Sequence, residues 1–160
     1  MVPNIGLKGG ETLRLDGVKL RIHYAGHAHS DNDIMIEVVD DKALFFGDIV
    51  NYKDVPNSDM PQDANYNGSI MAIKSMLNGP ATLFIPGHGR SGGREVPESA
   101  LRFLERLRAS VIKHYKQGLA DYEMKDLIIK ELAEYSDWHN FNELGRVITF
   151  VYREVERDNF

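Results

Sequence analysis

Two hydrophobic periods divide this 160-residue chain. Up to about residue 89 the apolar positions come in short runs or in alternation, as strands require. From Pro97 onward they recur every three or four residues, as amphipathic helices require. Thr12–Leu15 and residues 18–24 flank Asp16-Gly17, a dipeptide that favours a two-residue hairpin turn. In the second run Val18, Leu20, Ile22 and Tyr24 alternate with Lys19, Arg21 and His23, which predicts one buried face and one wet face. Residues 34–39 and 43–46 flank Asp40-Asp41-Lys42 and predict a second hairpin.

Residues 52–68 are polar, contain Pro56, Pro61, Asn57, Asn65 and Asn67, and read as a surface loop. The spacing predicts a helix over 69–78 closed by Gly79-Pro80, then a short buried strand over 82–85 ending at Pro86. In the helical part, Leu101, Leu104, Leu107, Val111 and Tyr115 fall on one stripe, with Pro97 in the first turn and Gly118 as the stop. A second helix is predicted over about 121–135 with Leu127, Ile128 and Leu132 inward. A third starts at Asn140, with Glu143 placed three residues on as in a capping box, and buries Leu144, Val147, Ile148, Val151 and Val155.

Composition narrows the function classes. Hydrophobic content of 42% with 27% charged residues marks a globular chain with a real core, and a formal charge of −5 argues against a nucleic-acid partner. No apolar run approaches the roughly 20 residues of a membrane span. Residues 1–16 lack the basic start and apolar stretch of a signal peptide, so the default compartment is the cytoplasm, with a periplasmic parent still compatible. The opening residues 2–10 read like a loop from the middle of a protein, an expectation of truncation. There is no cysteine, which leaves histidine and carboxylate as the strong ligands for a metal ion.

Three segments place such ligands where strands run out into loops: Gly26-His27-Ala28-His29-Ser30-Asp31-Asn32-Asp33, then Phe45-Phe46-Gly47-Asp48, then Pro86-Gly87-His88-Gly89. The intervals are 19 residues from His29 to Asp48 and 40 from Asp48 to His88. Taken singly, His29 is a solvated loop histidine, Asp48 a turn or cap residue and His88 part of a tight turn. Together they stand at the ends of buried strands, where a rigid scaffold carries binding loops.

These motifs, in this order and spacing, resemble the metallo-β-lactamase-fold hydrolases, whose later metal motifs read Gly-x-x-His-Ser/Thr-x-x-Asp, Phe-x-Gly-Asp and Pro-Gly-His-Gly. The helical tail is similar to that of the sulfur-oxidation and quinoprotein-relay zinc hydrolases. Residues 27–32 also resemble the family's first motif, His-x-His-x-Asp-His, with Asn32 in the last place. That motif precedes a helix, however, whereas 34–39 reads as a strand leading straight to Asp48, so the later register holds. His27 is then a loop histidine near the metal at most, and Asp31 and Asp33 cap the loop or lie in an outer sphere. His23 belongs to the wet strand face, and His114 and His139 are ordinary helix or helix-start residues.

The resemblance implies an α+β fold, the C-terminal half of an αββα sandwich with a mostly antiparallel sheet followed by a helical tail. Residues 1–160 would form one truncated domain, with sheet and metal motifs in 1–89 and helices in 97–160. It implies that His29 binds a first zinc, that Asp48 bridges two zincs as the catalytic carboxylate, and that His88 binds the second. The complete enzyme would hydrolyse an ester, thioester, amide or related bond of a small molecule, with a metal-activated hydroxide as nucleophile. The Tyr52 to Gly68 loop, with Tyr52, Asn65, Tyr66 and Asn67, is the expected substrate-facing segment. The first His-x-His-x-Asp-His motif is absent here, which implies half a site, partial or no zinc occupancy and an inactive isolated chain. A half-sandwich also leaves one sheet face bare, and implies a homodimer or a complementary N-terminal half. The competing reading is a non-catalytic fragment or assembly subunit that keeps part of a metal site.

Overall fold

Alternating side chains on five strands build the sheet that organises the chain. The computed structural model describes residues 6–56 and 64–159. The strands are β1 (Thr12–Leu15), β2 (Val18–Gly26), β3 (Asp33–Val38), β4 (Ala43–Asn51) and β5 (Leu83–His88), paired in that order. β1 to β4 run antiparallel, and β5 joins β4 in parallel after a crossover through helix α1 (Tyr66–Leu77). The Asp16-Gly17 hairpin forms with both residues at positive φ, 48° and 88°, as the sequence predicts. The second hairpin turns at Lys42, also at positive φ (51°).

Three helices follow: α2 (Glu95–Lys116), α3 (Asp121–Glu131) and α4 (Leu144–Asp158). α1 and α2 pack on the sheet, and α3 and α4 pack on α2. The core joins Met35, Leu44, Phe46 and Phe84 of the sheet to Ile73, Phe103, Leu107, Val111, Ile128, Val147 and Val151 of the helices. Pro97 lies in the first turn of α2, and Gly118 lies beyond its last turn at positive φ, as expected.

Several expectations are corrected. The apolar face of β2 is the one that the helices leave uncovered: Ile22 is buried there, but Val18 and Tyr24 are 45% and 55% exposed. Arg21 and His23, expected to be wet, lie on the opposite face and hold the buried Glu37 carboxylate at 3.2 and 2.9 Å. The alternation is real, but periodicity alone does not say which side the helices cover. The 52–68 loop is shorter than expected, because α1 begins at Tyr66 and both Tyr52 and Tyr66 are buried; residues 57–63 of that loop lie outside the described residues. The helix over 121–135 stops at Glu131 and continues as a 3₁₀ turn over Ala133–Tyr135, with Met124 rather than the exposed Leu127 facing inward.

The Asn140 capping box does not form. Asn140 adopts a left-handed φ of 57° and donates its amide to Asp54 Oδ1 at 2.8 Å, and α4 starts only after the 3₁₀ turn Phe141–Glu143. A tertiary partner outcompetes the local cap. His139 is not a helix start either: its backbone bridges to the Asp54 segment. β5 runs through Pro86 to His88, further than the predicted 82–85, because parallel pairing with β4 persists at Gly47–Pro86 and Asn51–His88.

Candidate metal centre

β2 runs antiparallel to β3 and β3 antiparallel to β4, so β2, β4 and β5 point the same way. The three motif segments lie on or just beyond these strands, toward the same end of the sheet. A register shift between Tyr24 and Gly26 ends β2, and the His27–Ser30 turn follows. A second shift between Phe45 and Gly47 lifts Asp48 out of the regular pleat. Gly87 lies directly beneath Asp48; any side chain there would collide with the Asp48 carboxylate and the Gly47 carbonyl. The glycine of Pro-Gly-His-Gly is therefore what lets the carboxylate reach across toward β5.

The structure brings all three candidate residues together. Asp48 Oδ2 faces His29 Nε2 at 3.8 Å, and Asp48 Oδ1 faces His88 Nε2 at 3.5 Å. Both separations exceed the roughly 2.7–3.2 Å of a hydrogen bond. They approach the ~3.4 Å between two donors of one tetrahedral zinc at ~2.0–2.1 Å each. The donor set, two imidazoles and one carboxylate, suits zinc, and each carboxylate oxygen is paired with a different histidine. Among the described residues no three ligating side chains converge on one point. The residues present therefore offer two histidine–carboxylate pairs built around one aspartate.

The neighbourhood is uneven. His29 is largely buried and its Nδ1 has no hydrogen-bond partner among the described residues, whereas Asp48 and His88 are about half exposed. His29 is clamped on both sides. The Ala28 carbonyl accepts the Asn65 N–H at 2.7 Å, and the Asp33 carboxylate accepts both the N–H and the hydroxyl of Ser30, at 2.7 and 2.8 Å. Asp33 thus caps the loop, as its position suggests. The backbone of His88 is held by β4, its carbonyl accepting the Tyr52 N–H at 2.9 Å.

The expected substrate-facing residues do not all face the site. Asn65 is the N-cap of α1, accepting the Gly68 N–H at 2.8 Å, and Tyr66 is buried in the core. Tyr52 stays beside His88, with its hydroxyl accepting from Arg90 at 3.2 Å. Sequence reasoning passed over Glu154, which is buried and accepts the backbone N–H groups of Tyr66 and Asn67. Its signal was present: it is a carboxylate inside the apolar stripe of Val147, Val151 and Val155.

The sequence profile of the metallo-beta-lactamase superfamily matches residues 2–88, and the chain belongs to that superfamily. No curated protein matches it. Among solved structures it is similar to a metallo-beta-lactamase from Pontibacter korlensis, with 22% identity, a TM-score of 0.57, and 66% of this chain and 50% of that one covered. The DIM-1 metallo-beta-lactamase is 25% identical with a TM-score of 0.53, covering 62% and 46%. The sec-alkyl sulfatase PisA1, as a double mutant, is 16% identical with a TM-score of 0.74, covering 96% of this chain and 26% of that one. The chain spans about half the length of these metallo-beta-lactamases and about a quarter of the sulfatase. The sulfatase likeness takes in the helical tail as well as the sheet.

Proposed function

We propose that this chain supplies one half of a dinuclear zinc site in a metal-dependent hydrolase. His29 Nε2 binds one ion, His88 Nε2 binds the other, and Asp48 bridges them as the central carboxylate. The observation that carries this reading is the Asp48 carboxylate lying between the two imidazoles, one oxygen to each, at distances suited to a shared ion rather than to hydrogen bonds. A zinc pair held there supplies an activated water near neutral pH and Lewis-acid stabilisation of developing oxyanion charge. The chain's own residues do the placing. The His27–Ser30 clamp restricts His29, and Gly87 leaves room for Asp48.

Two protein donors per ion fall short of the three or more of a catalytic zinc site. We infer that the remaining ligands lie on a second apolar sheet covering the bare face, carried by a segment outside these residues. The rival reading, a non-catalytic fragment or assembly subunit, is favoured for the chain alone by the absence of any three-ligand cluster among the described residues. Equilibrium dialysis against Zn²⁺ tests the ligand roles. The expected result is two weak sites, one lost in His29→Ala, the other lost in His88→Ala, and both lost in Asp48→Ala. Unchanged zinc uptake by Asp48→Ala overturns the bridging role. Hydrolysis is expected only once the second sheet is present.

A further inference from the structure

We propose that Glu154, on the last helix and 66 residues beyond the end of the family match, is a positioning residue for His29. The proposal rests on the reading of His29 as a metal ligand. It starts from a helix terminus. The first N–H groups of α1 have no partner within the helix and need acceptors. Glu154 Oε2 accepts from Tyr66 at 2.5 Å and Oε1 from Asn67 at 3.1 Å, while Asn65 Oδ1 accepts from Gly68. The carboxylate also suits the positive end of the helix dipole. It is itself held by Arg108, whose Nε donates to Oε1 at 3.1 Å and whose guanidinium also reaches Asp158.

This terminus bears directly on the metal-side loop. The N-cap residue Asn65 donates its N–H to the carbonyl of Ala28, which is fully buried. Gly68 approaches the His27 carbonyl so closely that a Cβ would collide with it. Glu154 fixes the first turn of α1, and the first turn fixes residues 27 and 28 from two directions. His29 is the next residue. His88 has no such connection, because it is placed by the β4–β5 pairing. The two halves of the site are thus positioned independently, and the helical tail governs one of them.

The test uses the whole chain with histidine side chains labelled for NMR, titrated with Zn²⁺ while the His29 and His88 rings are followed separately. Glu154→Gln keeps the shape but turns an acceptor into a donor facing an N–H. The Zn²⁺ affinity reported at His29 is expected to fall at least about threefold, less than the roughly 10–100-fold of a partner bonded directly to the ring, while that at His88 changes by less than about twofold. Gly68→Ala, which leaves Glu154 intact but pushes on the His27 carbonyl, should give the same one-sided loss. Equal losses at both rings, or no loss at His29, overturn the proposal. If the unsubstituted chain binds zinc at neither ring, the ligand reading fails. Ring relaxation of His29 in the metal-free chain then decides the positioning claim: increased His29 motion confined to the two variants supports it, and unchanged motion overturns it.

Discussion

The two faces of this sheet both carry large apolar side chains and have opposite fates, although the covered face also holds the charged cluster of Arg21, His23 and Glu37. On the helix side Met35, Leu44, Phe46 and Phe84 are at most 2% exposed. On the other side Val18, Tyr24, Ile34, Phe45 and Leu83 are 43–55% exposed, although they are as apolar as their neighbours. Phe45 and Phe46 are adjacent residues that the pleat sends in opposite directions. Antiparallel sheets with one solvated face alternate apolar and polar residues, and strands apolar on both faces belong between layers. The exposed face is therefore built as the interior of a two-sheet structure. His29, Asp48 and His88 stand at one end of that sheet, and on the function proposed above one covering layer would complete both the apolar face and the ligand set.

The largest expected effect separates the two phenylalanines. Phe46→Ala should lower the chain's stability by about 3–5 kcal/mol, as for other buried phenylalanines, whereas Phe45→Ala should cost less than about 1 kcal/mol, both read from urea unfolding midpoints. Similar losses at the two positions would break the distinction between covered and uncovered faces. The next effect concerns what the bare face does. Without its cover the chain should self-associate through this face, and Phe45→Lys should weaken that association at least about tenfold, or about 1.4 kcal/mol, by burying an unpaired charge. Light scattering across a concentration series measures it, and a folded, strictly monomeric unsubstituted chain would sink the idea.

How far the sequence discloses this arrangement depends on the range of the forces involved. The Asp16-Gly17 turn and the stripe of α2 follow from local pattern, and the structure agrees with both. Asp48, expected to end its strand at Gly47, instead lies inside β4, which pairs with β5 as far as Asn51. The meeting of His29, Asp48 and His88 is not local. It was legible through the motifs of a family, which encode contacts across 19 and 40 residues. What escaped were choices made by tertiary partners. The helices cover the face of β2 that carries Arg21 and His23, since the buried Glu37 gives those polar groups a partner there. Asn140 leaves its expected cap for Asp54. α1 begins at Tyr66 because Glu154, 88 residues further on, accepts its first N–H.

The smallest expected effect sharpens the picture of the covered side. Tyr66 is buried there, and its hydroxyl has no hydrogen-bond partner among the described residues. Burial, with the nearby Glu154 charge, raises its pKa well above the usual 10. A buried hydroxyl without a partner opposes folding, so Tyr66→Phe should stabilise the chain by about 1 kcal/mol at pH 7. The pH dependence gives an independent readout. The folded state holds the Tyr66 proton beyond the pH at which the unfolded chain releases it. Its contribution is therefore constant below pH 10 and falls as pH rises further, by up to about 1.4 kcal/mol per pH unit. Tyr66→Phe should remove that part of the alkaline slope while leaving the slope below pH 10 unchanged. Parallel stability–pH curves for the two proteins above pH 10 would mean that the folded chain releases this proton as readily as the unfolded one, and that solvent reaches the hydroxyl on the covered side.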